Sequence, residues 1–253
     1  MRNWIPILIL LTASILGGCT THHKMAEPYR NFGKMGLYIG KKQAAKTNQA
    51  ITEGDISNLL DAEVKAELPA TMALAKLRSY WCGGRSSIDI VSAEEINQWE
   101  KVLKDVKSVR GIQTIPSLVL ENSGRKEGIY LKDLRLAAAK LKCELLLAYV
   151  QSESSIANFN DAAALYWTVI GLWLVPGSVL EHRTIMQAVL VDCRTGAILG
   201  TATGDCYLKR ATPAAFADIT RDKLRQEADT KALADLRKGC RKLLEEIVEA
   251  SEK

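Results

Sequence analysis

The chain has 253 residues, 47% of them apolar and 25% charged, with a formal net charge of +5. That balance fits one or two ordinary globular domains and gives no reason to expect nucleic acid as a partner. Beyond the amino-terminal segment five cysteines, Cys82, Cys143, Cys193, Cys206 and Cys240, stand at wide spacings with no CxxC pair, which excludes a zinc ribbon and a thioredoxin-type redox pair. In an oxidising compartment an odd number leaves a thiol unpaired or bonded to another chain. The economical reading makes most of these cysteines small buried hydrophobes.

Trp4 to Gly18 is apolar after a single Arg2 and ends in Leu16-Gly17-Gly18-Cys19. It is too short and wrongly flanked for a spanning helix and has the form of a secretory signal over residues 1–18. The Leu-Gly-Gly-Cys step resembles the lipobox of bacterial lipoproteins, which implies cleavage after Gly18 and a lipidated, palmitate-bearing Cys19. The alternative is a plain signal peptide with an incidental cysteine. At about 0.8 kcal/mol per buried methylene, a three-chain anchor is permanent in practice. Thr20 replaces the Asp that holds many such lipoproteins at the inner membrane, which in a host with two membranes implies the outer one, facing the periplasm.

Residues 19–54 then read as a basic tether. Lys24, Arg30, Lys34, Lys41, Lys42 and Lys46 stand against the single acid Glu27 between Thr20 and Ala50. Each such cation is worth about 1 kcal/mol beside anionic lipid, so the tether either hugs the membrane surface or is a solvated linker. His22 and His23 have no third or fourth ligand within sequence reach, so no metal site is read there.

Met35 to Gly40 reads as a short strand. A single α/β domain follows over residues 55–253. Asp55 to Glu67 is expected as a helix closed by Leu68-Pro69, and Ala70 to Ser79 as a strand, with an extension of that helix as competitor. Tyr80 to Gly84 is a turn. Ser92 and Glu95 make a capping box, and Ile96, Trp99, Val102, Leu103 and Val106 recur at helical spacing over residues 93–107. A Val- and Ile-rich strand at 109–120 is interrupted by Pro116, which implies an edge or a bulge. After a turn at Asn122 to Gly128, Leu131, Leu134, Leu136, Ala138 and Leu141 mark a helix. It runs into Cys143 to Val150, whose unbroken apolar character predicts a strand buried on both faces.

Thr184 to Cys193 and Ala197 to Tyr207 read as strands joined at Arg194-Thr195-Gly196. Thr212 is expected to cap a final helix with Pro213 in first position, its seam formed by Leu233, Leu236, Cys240, Leu243, Leu244 and Ile247. The fold class is therefore α/β (α+β), a mixed β-sheet packed by helices with an apolar insertion before the last hairpin.

The insertion, residues 162–180, carries Leu165, Tyr166, Trp167, Ile170, Leu172, Trp173 and Leu174. Its longest uncharged run, Ala162 to Val175, would rise about 21 Å as a helix, short of the roughly 30 Å hydrocarbon core. In water its large apolar side chains forgo about 1.5 to 3 kcal/mol each. Three readings stay open: a core helix or hairpin linking two strands, a membrane-dipping loop with Tyr166, Trp167 and Trp173 at the interface, and an interface for a second copy or an envelope partner.

A Ser-His-Asp or Cys-His arrangement would have to use His182, whose flank Glu181-His182-Arg183 reads as a polar loop before a strand. Asp192 and Asp205 read as turn-capping acids at strand ends, and no glycine spacing fits a phosphate. No catalytic residue, cofactor or metal is expected.

A helix ending in Leu136-Ala137-Ala138-Ala139-Lys140-Leu141 runs into Glu144-Leu145-Leu146-Leu147-Ala148-Tyr149, and a hairpin follows at Val191 to Gly196. This order resembles the anticodon-binding-like domain of periplasmic lipoproteins, a group that includes the curli secretion channel lipoprotein, the peptidoglycan synthase activator lipoproteins and the amino-terminal domain of the Tol system's propeller protein. The lipobox with Tyr166-Trp167-Thr168, Gly171-Leu172 and Val175-Pro176-Gly177 is similar to rhombotarget lipoproteins. The chain departs from them in ending at Ile247 to Lys253 with no glycine motif or apolar helix, so rhomboid-like sortase processing does not carry over. The resemblance implies a non-enzymatic envelope module that docks or self-assembles through 162–180, or else a membrane-active component of an assembly or export complex that inserts it. A hydrolase is the distant alternative.

Overall fold

The computed structural model describes residues 66–80, 85–120, 129 and 131–251. Leu16 to Cys19, the basic tether, the strand at 35–40, most of the helix expected at 55–67 and Cys82 lie outside the described residues.

Among the described residues the framework is a six-stranded mixed sheet in the order β2-β1-β4-β5-β6, with β3 also beside β1. β1 (Ala70–Tyr80) runs parallel to β3 (Val109–Thr114) and β4 (Leu145–Phe159) and antiparallel to β2 (Arg85–Ile88). β4, β5 (Ser178–Asp192) and β6 (Ile198–Thr212) form an antiparallel meander of long strands. Helices α1 (Ala93–Leu103), α2 (Leu131–Lys140), α3 (Val169–Leu174) and α4 (Ala217–Ser251) complete the order. This is the mixed sheet packed by helices that the sequence pattern implies.

Alternation along the strands splits the sheet between two cores. Met72, Leu74, Leu145, Leu147, Tyr149, Met186, Ala188 and Leu190 face α1 and α4, where they meet Trp99, Leu103, Leu236, Cys240 and Leu244. Ala73, Ala75, Leu146, Ala148, Val189 and Val191 face the other way, onto Leu134, Ala137 and Ala138 of α2. The apolar run up to Val150 is therefore the strand buried on both faces that its composition predicts. α4 lies so close to β6 that a Cβ on Gly204 would stand 2.1 Å from the carbonyl oxygen of Ala232. The expected seam is there, with Leu236, Cys240 and Leu244 buried and Leu233, Leu243 and Ile247 packed against them.

Several boundaries differ from the sequence reading. β4 does not stop at Val150 but continues to Phe159, in register with Ser178 of β5. Past Val150 its residues alternate between covered and exposed, so the apolar signal fades while the ladder persists. α1 ends at Leu103; Ser92 caps it by accepting from the Glu95 N–H at 3.2 Å, but the Glu95 carboxylate turns to Lys76 at 2.9 Å instead of closing the box. β3 ends at Thr114, and a 3₁₀ turn at Ser117–Val119 follows Pro116, which lacks an N–H for the ladder. Thr212 is the last residue of β6 and caps no helix; Pro213 precedes a 3₁₀ turn at Ala214–Phe216 before α4 begins. Cys143, Cys193, Cys206 and Cys240 are free thiols, and all but Cys206 are buried.

Candidate functional site

The insertion is the tip of the β4–β5 hairpin. Asn160 starts it by accepting from the Ala162 N–H at 3.0 Å and donating to the Pro176 carbonyl at 2.9 Å, which opens a 3₁₀ turn over Asp161–Trp167. Thr168 then caps α3: its hydroxyl accepts from the Gly171 N–H at 2.9 Å and donates to the Leu165 carbonyl at 2.8 Å. Gly171 permits this tight fold, since a Cβ there would stand 2.0 Å from the Leu165 carbonyl oxygen. The result is a compact knob whose backbone is tied by its own side chains.

The knob wears its apolar residues outside. Trp167 is 83% exposed, Val169 74%, Ile170 71% and Leu174 72%, and Leu165, Leu172 and Trp173 are exposed too. The segment links two strands as a hairpin should, but it is not core, because neither of the two core clusters reaches it. Tyr166 faces the other way. Its hydroxyl lies 3.2 Å from the Val175 carbonyl and 3.1 Å from Ser178 Oγ, so it braces the knob on β5. Sequence reasoning missed the rim: Phe159 packs edge-on to Tyr166, Phe216 packs edge-on to Trp173, and Ile219 is exposed nearby in the chain. No periodicity links Phe216 to the tip; only the length of β6 brings it there. From Ala162 to Leu180 there is no charged residue. No described helix is long and apolar enough to cross a membrane.

A second group of side chains lies midway along the hairpin. His182 is in the middle of β5, not in a loop before it, and is 1% exposed. Its Nδ1 contacts Ser155 Oγ of β4, its Nε2 lies 3.1 Å from Thr184 Oγ1, and Thr184 donates to Asp229 of α4 at 2.7 Å. Glu153 Oε2 is 4.0 Å from Nε2. Burial holds the imidazole below its usual pKa, with Asp229 opposing that shift and Arg225 adding to it. Serine, histidine and aspartate are thus brought together, but not as in a serine hydrolase: the hydroxyl meets Nδ1, and the acid reaches the ring only through Thr184. Asp192 caps the β5–β6 turn as expected, accepting from the Arg194 N–H at 2.7 Å, whereas Asp205 lies inside β6 and pairs with Arg183 at 2.6 Å.

No protein-family model and no curated protein matches the chain. Among solved structures it is similar to the LpoB C-terminal domain from Salmonella enterica (11% identity, 60% of this chain and 91% of that one, TM-score 0.28). It is also similar to the PelC dodecamer from Paraburkholderia phytofirmans (13%, 69% and 91%, TM-score 0.30). A third is a putative neuraminyllactose-binding hemagglutinin homolog from Helicobacter pylori (8%, 74% and 96%, TM-score 0.34). Likeness at these TM-scores assigns this chain neither a family nor a function.

Proposed function

We propose that this protein is a non-enzymatic, lipid-anchored envelope lipoprotein of the rhombotarget type, an interaction or assembly module that docks through the tip of its long hairpin. Cys19 is its anchor in the outer membrane, the basic segment 24–46 lies against anionic lipid, and the domain faces the periplasm. The carrying observation is the knob itself: tightly capped, uncharged from Ala162 to Leu180, and apolar on its outer surface. Covering Trp167, Val169, Ile170, Trp173 and Leu174 is worth about 1.5–3 kcal/mol for each side chain fully buried, enough to drive specific association. The occupant is an envelope protein or a second copy of the chain.

Trp167 and Trp173 on the outer surface favour a second reading, insertion into the bilayer, because indole rings concentrate at the membrane interface. The six residues of α3 rise about 9 Å as a helix, so such a tip dips and does not span.

One experiment tests both. The chain from Thr20 onward, without its lipid, is mixed with anionic vesicles carrying brominated acyl chains while tryptophan fluorescence is followed, against a Trp167→Phe, Trp173→Phe double variant. Absence of quenching, together with concentration-dependent association that Ile170→Ser, Leu174→Ser abolishes, supports docking. Quenching that disappears in the double variant replaces docking with insertion. A folded monomer that shows neither and gains no partner from envelope extract overturns both.

A further inference from the structure

We propose that Glu153, His182 and Asp229 bind a divalent transition-metal ion of the zinc class, tying β4, β5 and α4 together midway along the hairpin. The three residues come from three different elements, and their ligand atoms all lie within 4.8 Å of one another. One imidazole nitrogen and two carboxylates are donors that zinc accepts, at bond lengths of about 2.0–2.2 Å.

Spacing supports the assignment. Ligand atoms around a tetrahedral ion with such bonds stand about 3.3–3.6 Å apart. Thr184 Oγ1 gathers two of the three ligands about one point, 3.1 Å from His182 Nε2 and 2.7 Å from Asp229 Oδ1, contacts that lengthen by a few tenths of an ångström when an ion enters. Glu153 Oε2 lies 4.0 Å from Nε2 and within 4.8 Å of the Asp229 carboxylate, so these pairs close by at most about 1.5 Å around an ion. Its side chain is 38% exposed and has room to swing inward.

Proton placement is compatible with an ion once the ring changes tautomer. In the hydrogen-bonded arrangement Thr184 donates to Asp229, so Nε2–H donates to Thr184 and Nδ1 accepts from Ser155. A metal ion at Nε2 moves the ring proton to Nδ1, where Ser155 Oγ accepts it. Ser155 then holds the ring as outer-shell partners of metal-ligating histidines do, and the hydroxyl of Thr184 stands beside the ion as a further oxygen donor. Two carboxylates and a neutral imidazole leave a divalent ion fully compensated, and Arg225 is the cation acting on the same ring.

The inference is independent of the tip, and its test does not use the tip. Full-length lipoprotein in detergent, carrying His22→Ala and His23→Ala and stripped with chelator, is titrated with Co²⁺ and then displaced with Zn²⁺. The expected result is saturable binding of a single ion, with absorption bands of nitrogen and oxygen ligation and no thiolate charge-transfer band. Glu153→Gln and Asp229→Asn, each checked for native circular dichroism, are expected to weaken affinity at least about tenfold, and Ser155→Ala by about 10–100-fold. His182→Gln abolishes binding. No saturable binding overturns the site, as does affinity unchanged in the two carboxamide variants. A thiolate band that disappears in Cys206→Ser also overturns it, since the ion would then sit on the thiol.

Discussion

The two ends of the β4–β5 hairpin are built from similar residues and meet opposite fates. At the base, Leu145 to Ala148 and Val189 to Val191 are packed between α1 and α4 on one face and α2 on the other. At the tip, Trp167, Val169, Ile170 and Leu174 stand in the open on a knob that no described helix covers. Hydropathy alone does not separate them. The difference lies in reach: α2 packs onto the base of the sheet, and the chain past Val150 runs on beyond it. Apolar character at the base is therefore spent on folding, and at the tip it remains available for association.

The sharpest way to break this comparison is at the base. Leu147 is 1% exposed and sits in the α1/α4 core. Leu147→Ala is expected to cost about 2–5 kcal/mol by lost transfer energy and the cavity left behind, measured by chemical denaturation. A cost under about 1 kcal/mol would mean that the base is not the folding core. Gly204→Ala comes next. Its Cβ would meet the α4 backbone at Ala232 and Leu236, where no flexible side chain gives way, so a loss of about 1–3 kcal/mol is expected from overpacking. The same substitution at Gly111, which has nothing within 4 Å of the added Cβ, is the control that leaves packing unchanged.

Thiol chemistry sharpens the same contrast. Burial pushes Cys193 and Cys240 up to about 12 from 9.0, while Cys206, also raised by burial, is only half-buried and keeps access to solvent. In the folded state iodoacetamide at pH 8 is expected to label Cys206 well before Cys193 or Cys240, read by peptide mass mapping. The linkage sign follows. The unfolded chain releases these two protons above about pH 9 while the fold retains them, so stability is present below that pH and falls as pH rises from about 9 toward 12. A melting temperature flat across that window would contradict the burial of both thiols.

Much of the base was legible in the sequence because its signals are local. The capping serine at 92, the heptad-like spacing from Leu233 to Ile247 and the unbroken run to Val150 each report their own surroundings. What failed was decided by partners in other elements. His182 reads as loop when seen between Glu181 and Arg183, yet it is buried in β5, where it meets Ser155 of β4 and Thr184, whose hydroxyl is bonded to Asp229 of α4. The extension of β4 to Phe159 was hidden for the same reason: Gln151 to Asn158 is polar, and only its ladder with β5 makes it a strand. The core reading of 162–180 failed for its exposed side chains between Leu165 and Leu174, while Leu180 in β5 is buried, because hydropathy reports that a segment wants cover, not whether the chain supplies it. Tyr166 differs from Trp167 beside it only through the acceptors at Val175 and Ser178.

The smallest expected effect on folding is the most informative. Ile170→Ser together with Leu174→Ser replaces two large side chains that are 71% and 72% exposed, so the unfolding free energy is expected to move by no more than about 0.5 kcal/mol for each. Were these residues core, the pair would cost several times that through lost transfer energy alone. The caps that shape the knob are untouched, since Asn160 and Thr168 bond backbone groups and not these side chains. A pair that leaves the melting curve in place and abolishes association would separate the two uses of apolar surface within one hairpin. A pair that unfolds the protein would place the tip with the base and remove the distinction on which its proposed role depends.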